Sequence, residues 1–335
     1  MSNSLKTKLA AVLIALSLCV SWFYFTRVLA AGNRDNRISP SVFGADCHLG
    51  FSYDELPDVW KPRLGGIWLA GRLLDAVTRD GHVTETTFRN VFGFYHAAWL
   101  FLTFALLIFI ADNAIFVIPF VFAGICTSLN PPEQAQSYPW DMPAMFFFTL
   151  SCLLWQREKY AWMLAVILLG TVFKETVAVT AFAYFFTHLP WKRRLGFFSL
   201  AFCGCLLVKI WISYAVMGHV RIFTQELTLG HSEKFFTLKS NLVHLFSLNE
   251  GNPLLANAGT LFIVLCLPMR TMMDRGIKCV IGAFLAGQLF AGNFEEFRIF
   301  MEILPVSVLY LYRTIQNRGT GKTGIEPSPL SPSPS

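Results

Sequence analysis

Two ionisable residues, Lys174 and Glu175, break an otherwise apolar stretch from Tyr160 to His188. Ionisable groups between apolar segments are costly in lipid and by default mark a site that handles charge. A lysine there can hold a phosphate by charge and by donated hydrogen bonds. The plainer alternative is that the two side chains pair with each other and stabilise a tight turn. A second group is Asn293-Phe294-Glu295-Glu296-Phe297-Arg298, with Glu302 and Pro305 further on. Positions 295, 298 and 302 are three and four apart and share a helix face. An Arg298–Glu302 pair would carry the acid into the membrane at lower cost, or Arg298 would bind a phosphate. A third group, Tyr138-Pro139-Trp140-Asp141-Met142-Pro143, opens an apolar run. Asp141 there complements a helix dipole and Pro143 suits a first turn, unless Asp141 points into a cavity. The fourth is the long segment 32–91, with Asp46, Tyr53-Asp54-Glu55, Asp58 and Lys61-Pro62-Arg63. It reads either as a solvated acidic loop or, given Phe43, Phe51, Tyr53, Trp60 and Trp68, as a folded loop laid over a membrane surface.

The elements that must position these groups follow from composition. Of 335 residues, 54% are apolar and only 14% charged, against about 25% charged in a soluble domain. Mean hydropathy is +0.51. That excludes disordered, collagen-like and disulfide-stapled chains and leaves an all-α polytopic membrane protein. Spans are expected at 9–31, at two helices within 92–128 divided by Asp112-Asn113, and at 140–155. Residues 160–188 as one helix would reach roughly 43 Å, against a hydrocarbon core of about 30 Å. They are therefore expected as two short spans meeting at Lys174-Glu175. Further spans fall at 195–217, 256–269, 279–292 and 297–313, giving about ten with both termini inside. An amphipathic stretch at 64–77 suits a membrane surface, and the second outer loop, 218–255, holds a mixed segment near 235–248. Residues 1–318 form one membrane domain, and the Pro/Ser-rich tail 319–335 reads as disordered and cytoplasmic.

The charges sort by side in this arrangement. Short inside loops carry Arg157/Lys159, Lys192/Arg193/Arg194 and Arg270/Arg275/Lys278, as the positive-inside rule requires. Most of the acids lie outside, so the polar chemistry faces away from the cytoplasm. Lys209, inside an apolar run, is expected to snorkel or pair with a neighbour, and His96 and His188 to be packing residues. Seven of the eight cysteines fall in apolar runs without paired spacing, which argues against zinc and disulfides. There is no HExxH, nucleophile elbow, Gly-rich nucleotide loop or CxxC, and Gly321-Lys322-Thr323 is no phosphate loop. No cofactor is assigned and no metal ligands are identified, although participation of a divalent metal is left open.

An acidic first extracytoplasmic loop after a single span resembles the GT-C superfamily of integral-membrane glycosyltransferases. So does Leu169-Gly170-Thr171-Val172-Phe173-Lys174 between two short spans. Three pieces are similar, more narrowly, to a group of bacterial GT-C-like membrane proteins. They are Trp60-Lys61-Pro62-Arg63-Leu64, Tyr138-Pro139-Trp140-Asp141-Met142-Pro143-Ala144, and Lys174-Glu175-Thr176 followed by a late Glu-x-x-Arg-x-Phe. The resemblance implies transfer of a sugar from a polyprenyl-phosphate-linked donor at the extracytoplasmic face. It implies an acid of the first loop, Asp54 or Glu55 and next Asp46, as base or orienter of the acceptor hydroxyl. Lys174 and Arg298 would hold the donor phosphate, with Arg63, Asp141, Glu175 and Glu295 as further substrate contacts. Unlike better-known members, this chain has no Asp-Glu pair directly after its first span. The lipid bilayer and the lipid-linked donor are the expected partners; nucleic acid is not, and the acceptor is open. The absence of Asn-x-Ser/Thr sequons is compatible with a bacterial inner membrane. Two other readings stay open: a transporter or flippase for a lipid-linked glycan, and a non-catalytic membrane subunit. No internal repeat supports the transporter.

Overall fold

The computed structural model describes residues 3–32, 63–78, 84–111, 113–128, 139–217, 238–246, 257–291 and 297–319. Every element among them is helical. The α-helices in chain order are α1 (Asn3–Gly32), α2 (Leu64–Val77), α3 (Glu85–Ile110), α4 (Ala114–Ser128), α5 (Asp141–Gln156), α6 (Tyr160–Phe173), α7 (Trp191–Met217), α8 (Leu238–Phe246), α9 (Asn257–Cys266), α10 (Met272–Ala291) and α11 (Leu304–Gly319). Two 3-10 helices, Glu175–Phe186 and Phe297–Ile303, lie between α6 and α7 and before α11.

Segments within α1, α3 and α7 (Leu5–Phe25, Thr86–Ile110 and Trp191–Val216) are long and apolar enough to cross a membrane. The apolar elements Ala114–Ser128, Tyr160–Phe173 and Glu175–Phe186 are shorter than the roughly 20 residues a full crossing takes. Of the apolar window in α7, only 17% is buried against protein. Leu200, Phe202, Leu207, Trp211 and Tyr214 all face outward from it. A helix apolar on every side needs an apolar medium, and a bilayer supplies one.

Packing follows the placement of small residues. On α1, Ala11, Ala15 and Cys19 recur every fourth position and are buried with Trp22, which lets α1 approach α3 and α4 closely. This contact belongs to one core, with Leu100, Phe104 and Leu107 of α3 and Val117 and Val121 of α4. A second core gathers α5, α6, the longer 3-10 helix, α7, α9, α10 and α11 around Phe148, Ile167, Tyr184 and Phe284. Trp99 of α3 packs against both. The seven described cysteines are free thiols.

Two helices start earlier than hydropathy predicts, α3 at Glu85 and not 92, and α10 at Met272 and not 279. Both are opened by polar caps. Thr84 Oγ1 accepts from Thr87 N at 3.1 Å. Thr271 Oγ1 accepts from Asp274 N while Asp274 accepts from Thr271 N, a reciprocal capping box. The mixed segment in the second loop forms α8, tied to α10 by Asn241 Nδ2 donating to the carbonyls of Gln288 and Leu289. The amphipathic stretch 64–77 forms α2, whose small-residue face packs on protein: a Cβ on Gly66 would lie 2.6 Å from the Pro139 carbonyl oxygen.

The bundle has two chemically different ends. At one, cations cap the last carbonyls of three elements: Arg313 reaches Ile110, Arg194 reaches Phe185 and Leu189, and Lys278 reaches Leu265 and Leu267. Cations near orphan C-terminal carbonyls satisfy hydrogen bonds and oppose the helix dipole. The other end holds the start of α2, the start of α5 and the junction after α6.

Candidate functional site

The site is built at the junction between α6 and the longer 3-10 helix. Lys174 is the C-cap of α6 and is extended, with φ −155° and ψ 132°. Successive side chains along extended backbone point opposite ways, so Lys174 and Glu175 face different partners. The hairpin closes tightly because position 170 is glycine. A Cβ there would lie 2.7 Å from Val177 Cγ1 and 3.0 Å from Phe147 Cβ.

Lys174 turns into the protein. Its Nζ lies 2.8 Å from Asp141 Oδ1 and also pairs with Glu302. Thr176 donates its hydroxyl to the second Glu302 oxygen. Asp141 and Glu302 are fully buried and Lys174 nearly so. Charges that deep persist only when paired and hydrogen-bonded. Asp141 is the first residue of α5, and Glu302 comes from the second 3-10 helix. The deep triad therefore pins three elements together. Beside Asp141, Tyr95 of α3 donates to the Pro139 carbonyl at 2.8 Å.

Glu175 turns toward the rim. Arg63 donates to Glu175 Oε1 from Nη2 at 2.6 Å and from Nε at 3.2 Å. Its guanidinium lies 5.1 Å from the Trp140 ring centroid, a cation–π placement that fixes its plane. Lys209 of α7 donates to Glu175 Oε2 at 3.0 Å. Lys209 sits 18 residues beyond the start of α7, about 27 Å along its axis, which brings it to this end of the bundle. Among the described residues the rim thus has two cations on one carboxylate, and the interior two carboxylates on one ammonium.

Of the sequence-predicted residues, Arg63, Asp141, Lys174 and Glu175 come together here. Lys174 and Glu175 do not close a turn by pairing with each other. Asp141 accepts from Lys174, so a dipole-capping role does not exhaust its function. Glu302 is held by Lys174 and Thr176, and Lys209 pairs with Glu175 at the rim. Asp46, Asp54, Glu55 and Glu295 lie outside the described residues, as does the side chain of Arg298. The residues that sequence reasoning left out of the site are Lys209, Glu302 and Thr176. A lone lysine within an apolar helix was the available signal for the first. Among the described residues no group of three His, Cys, Asp or Glu side chains could hold a metal ion. No protein-family model, curated protein or solved structure matches this chain.

Proposed function

We propose that this protein is an integral-membrane glycosyltransferase of GT-C type, using a polyprenyl-phosphate-linked sugar at the extracytoplasmic face. The observation that carries the reading is the cation pair Arg63 and Lys209, set at one end of an apolar bundle on either side of a partly exposed anion. The opposite, Lys/Arg-rich end is read as cytoplasmic by the positive-inside rule, which turns the site outward in about ten spans with both termini inside.

The chemistry asks for these groups. An acceptor hydroxyl attacks the anomeric carbon of the donor, the bond from that carbon to the phosphate oxygen breaks, and the phosphate leaves with one more negative charge. Arg63 and Lys209 are suited to meet that charge, since preorganised cations at a developing anion lower the barrier. Lys174, shared between Asp141 and Glu302, holds the junction that presents Glu175 to these two cations. The acceptor's proton goes to a carboxylate base, assigned to Asp54 or Glu55 of the first loop, with Asp46 next. Arg298 and Glu295 complete the donor contacts.

The test is sugar transfer from polyprenyl-phosphate-linked donors by the purified protein in liposomes. Transfer is expected in the wild type and lost in an Asp54→Asn/Glu55→Gln double variant. Retained turnover there would remove the assigned base, and no turnover with any donor by a well-folded protein would remove the enzyme. A flippase is the second reading. It is favoured by the continuity of the charges from half-exposed Glu175 to fully buried Glu302. Its signature would be transbilayer movement of a labelled lipid-linked glycan without transfer.

A further inference from the structure

We infer that Glu175 is the resident occupant of an anion site formed by Arg63 and Lys209, and that an incoming phosphate monoester or diester binds by displacing it. The inference rests on the reading above that this end of the protein receives a lipid-linked phosphate.

Three observations carry it. First, both Glu175 oxygens are engaged: Oε1 takes the two shorter Arg63 contacts, at 2.6 and 3.2 Å, and Oε2 takes Lys209 at 3.0 Å. Arg63 Nε also reaches Oε2 at 3.4 Å, so Arg63 spans both oxygens while Lys209 holds one, and two non-bridging phosphate oxygens could be held the same way. Second, each cation has a support besides Glu175, the ring of an aromatic side chain for Arg63 and a helical backbone for Lys209. Arg63 lies over the Trp140 ring, and Lys209 projects from within a long helix. Third, the carboxylates differ in freedom. Glu175 is 46% exposed, whereas Asp141 and Glu302 are fully buried. Ejecting either of the latter would drag a fully buried carboxylate out of the protein and take one of its two partners from Lys174. Glu175 can rotate toward solvent and be hydrated, so it alone of the three is displaceable at low cost.

Displacement has a functional meaning. With no ligand, Glu175 keeps two cations from facing lipid unpaired. A phosphodiester carries the same single charge as the carboxylate and can take over both cation contacts while Glu175 turns to solvent, and a phosphate monoester brings up to one charge more to the same cations. Lys209 also lies on the helix whose flanks, Leu206, Leu207 and Trp211, are exposed and apolar. That gives a phosphate on an isoprenoid tail an approach from the bilayer side.

The experiment measures binding of a short-chain polyprenyl phosphate to the full chain in nanodiscs, with inorganic phosphate and the uncharged polyprenol as further arms. Glu175→Gln keeps the hydrogen-bonding shape and removes the competing charge. It is expected to lower Kd about tenfold, the equivalent of roughly 1.4 kcal/mol. Glu175→Asp withdraws the carboxylate by one methylene and should tighten binding by less, which guards against a folding artefact of the amide. Arg63→Gln and Lys209→Met should each raise Kd about tenfold. Tightening confined to the lipid identifies a headgroup ligand, and equal tightening for inorganic phosphate identifies a free phosphate; both support displacement. Unchanged or weaker binding by Glu175→Gln, with Arg63→Gln and Lys209→Met still weakened, overturns the displacement while the lipid-phosphate reading stands. If neither wild type nor Glu175→Gln binds any phosphate, both fall.

Discussion

Replacing Lys174 by methionine should be among the most destabilising single changes in the described protein. The substitution keeps most of the side-chain volume and removes the ammonium that faces Asp141 at 2.8 Å and pairs with Glu302. Both carboxylates are fully buried, so neither can turn to water. Breaking a buried pair from one side costs about 3–5 kcal/mol, because the remaining charge is left uncompensated. Here one change strands two carboxylates, which places Lys174→Met at the upper end of that range. Asp141→Asn or Glu302→Gln leaves Lys174 with one carboxylate and should cost only about 1–3 kcal/mol. The triple variant Lys174→Met/Asp141→Asn/Glu302→Gln carries no charge in this pocket and should recover most of the loss. The assay is unfolding of the purified protein in one detergent, followed by intrinsic tryptophan fluorescence. The order expected is Lys174→Met far below the single carboxylate variants, with the triple variant well above Lys174→Met. The reasoning is refuted if Lys174→Met lies within about 0.5 kcal/mol of wild type, the usual range for a surface change, or if the triple variant is no better than Lys174→Met.

Other outcomes follow from individual contacts. Gly66→Ala sets a Cβ 2.6 Å from a backbone oxygen that cannot rotate away, so α2 must shift and about 1–3 kcal/mol is lost. Gly196→Ala on α7 meets nothing within 4 Å and should leave the melting temperature equal or higher, since alanine favours the helix by up to about 1 kcal/mol. Tyr95→Phe removes the buried donor to the Pro139 carbonyl and should cost about 1–3 kcal/mol, read as a lower melting temperature. Arg313→Met leaves the Ile110 carbonyl without that donor at the end of α3; hydrogen exchange of the amides at 107–111 should quicken, and unchanged exchange would show that the cap holds nothing.

Much of the helix order could be read from the sequence, because a long apolar run with nowhere polar to go has few options but a helix. The break at Lys174-Glu175 was visible for the same reason: two charges and a length too great for one crossing. What hydropathy missed were the starts of α3 and α10. Thr84, Thr271 and Asp274 open those helices with side-chain hydrogen bonds, ahead of the apolar run. The site was legible in part. Asp141, Lys174, Glu175 and Arg63 stood out as charges beside apolar segments, but which charge meets which depends on helix packing. The extended backbone at Lys174, which sends the two neighbours to opposite partners, leaves no trace in composition. Lys209 was hidden differently. Its partner is 34 residues away and becomes a neighbour only when α7 lies against the α6 hairpin.

The 3-10 helix Glu175–Phe186 also sets a length. Its 12 residues span about 24 Å at roughly 2.0 Å per residue, where an α-helix of the same count would span about 18 Å. Both ends of this stretched segment are tied by charge, Glu175 to Arg63 and Lys209, and the Phe185 carbonyl to Arg194. Relaxation to the shorter, better hydrogen-bonded form would have to release one of those ties. Glu175 is only one of the outer ties, because Lys174 and Thr176 on either side of it stay bound to Glu302; an anion that takes its place therefore meets a segment whose length is already fixed.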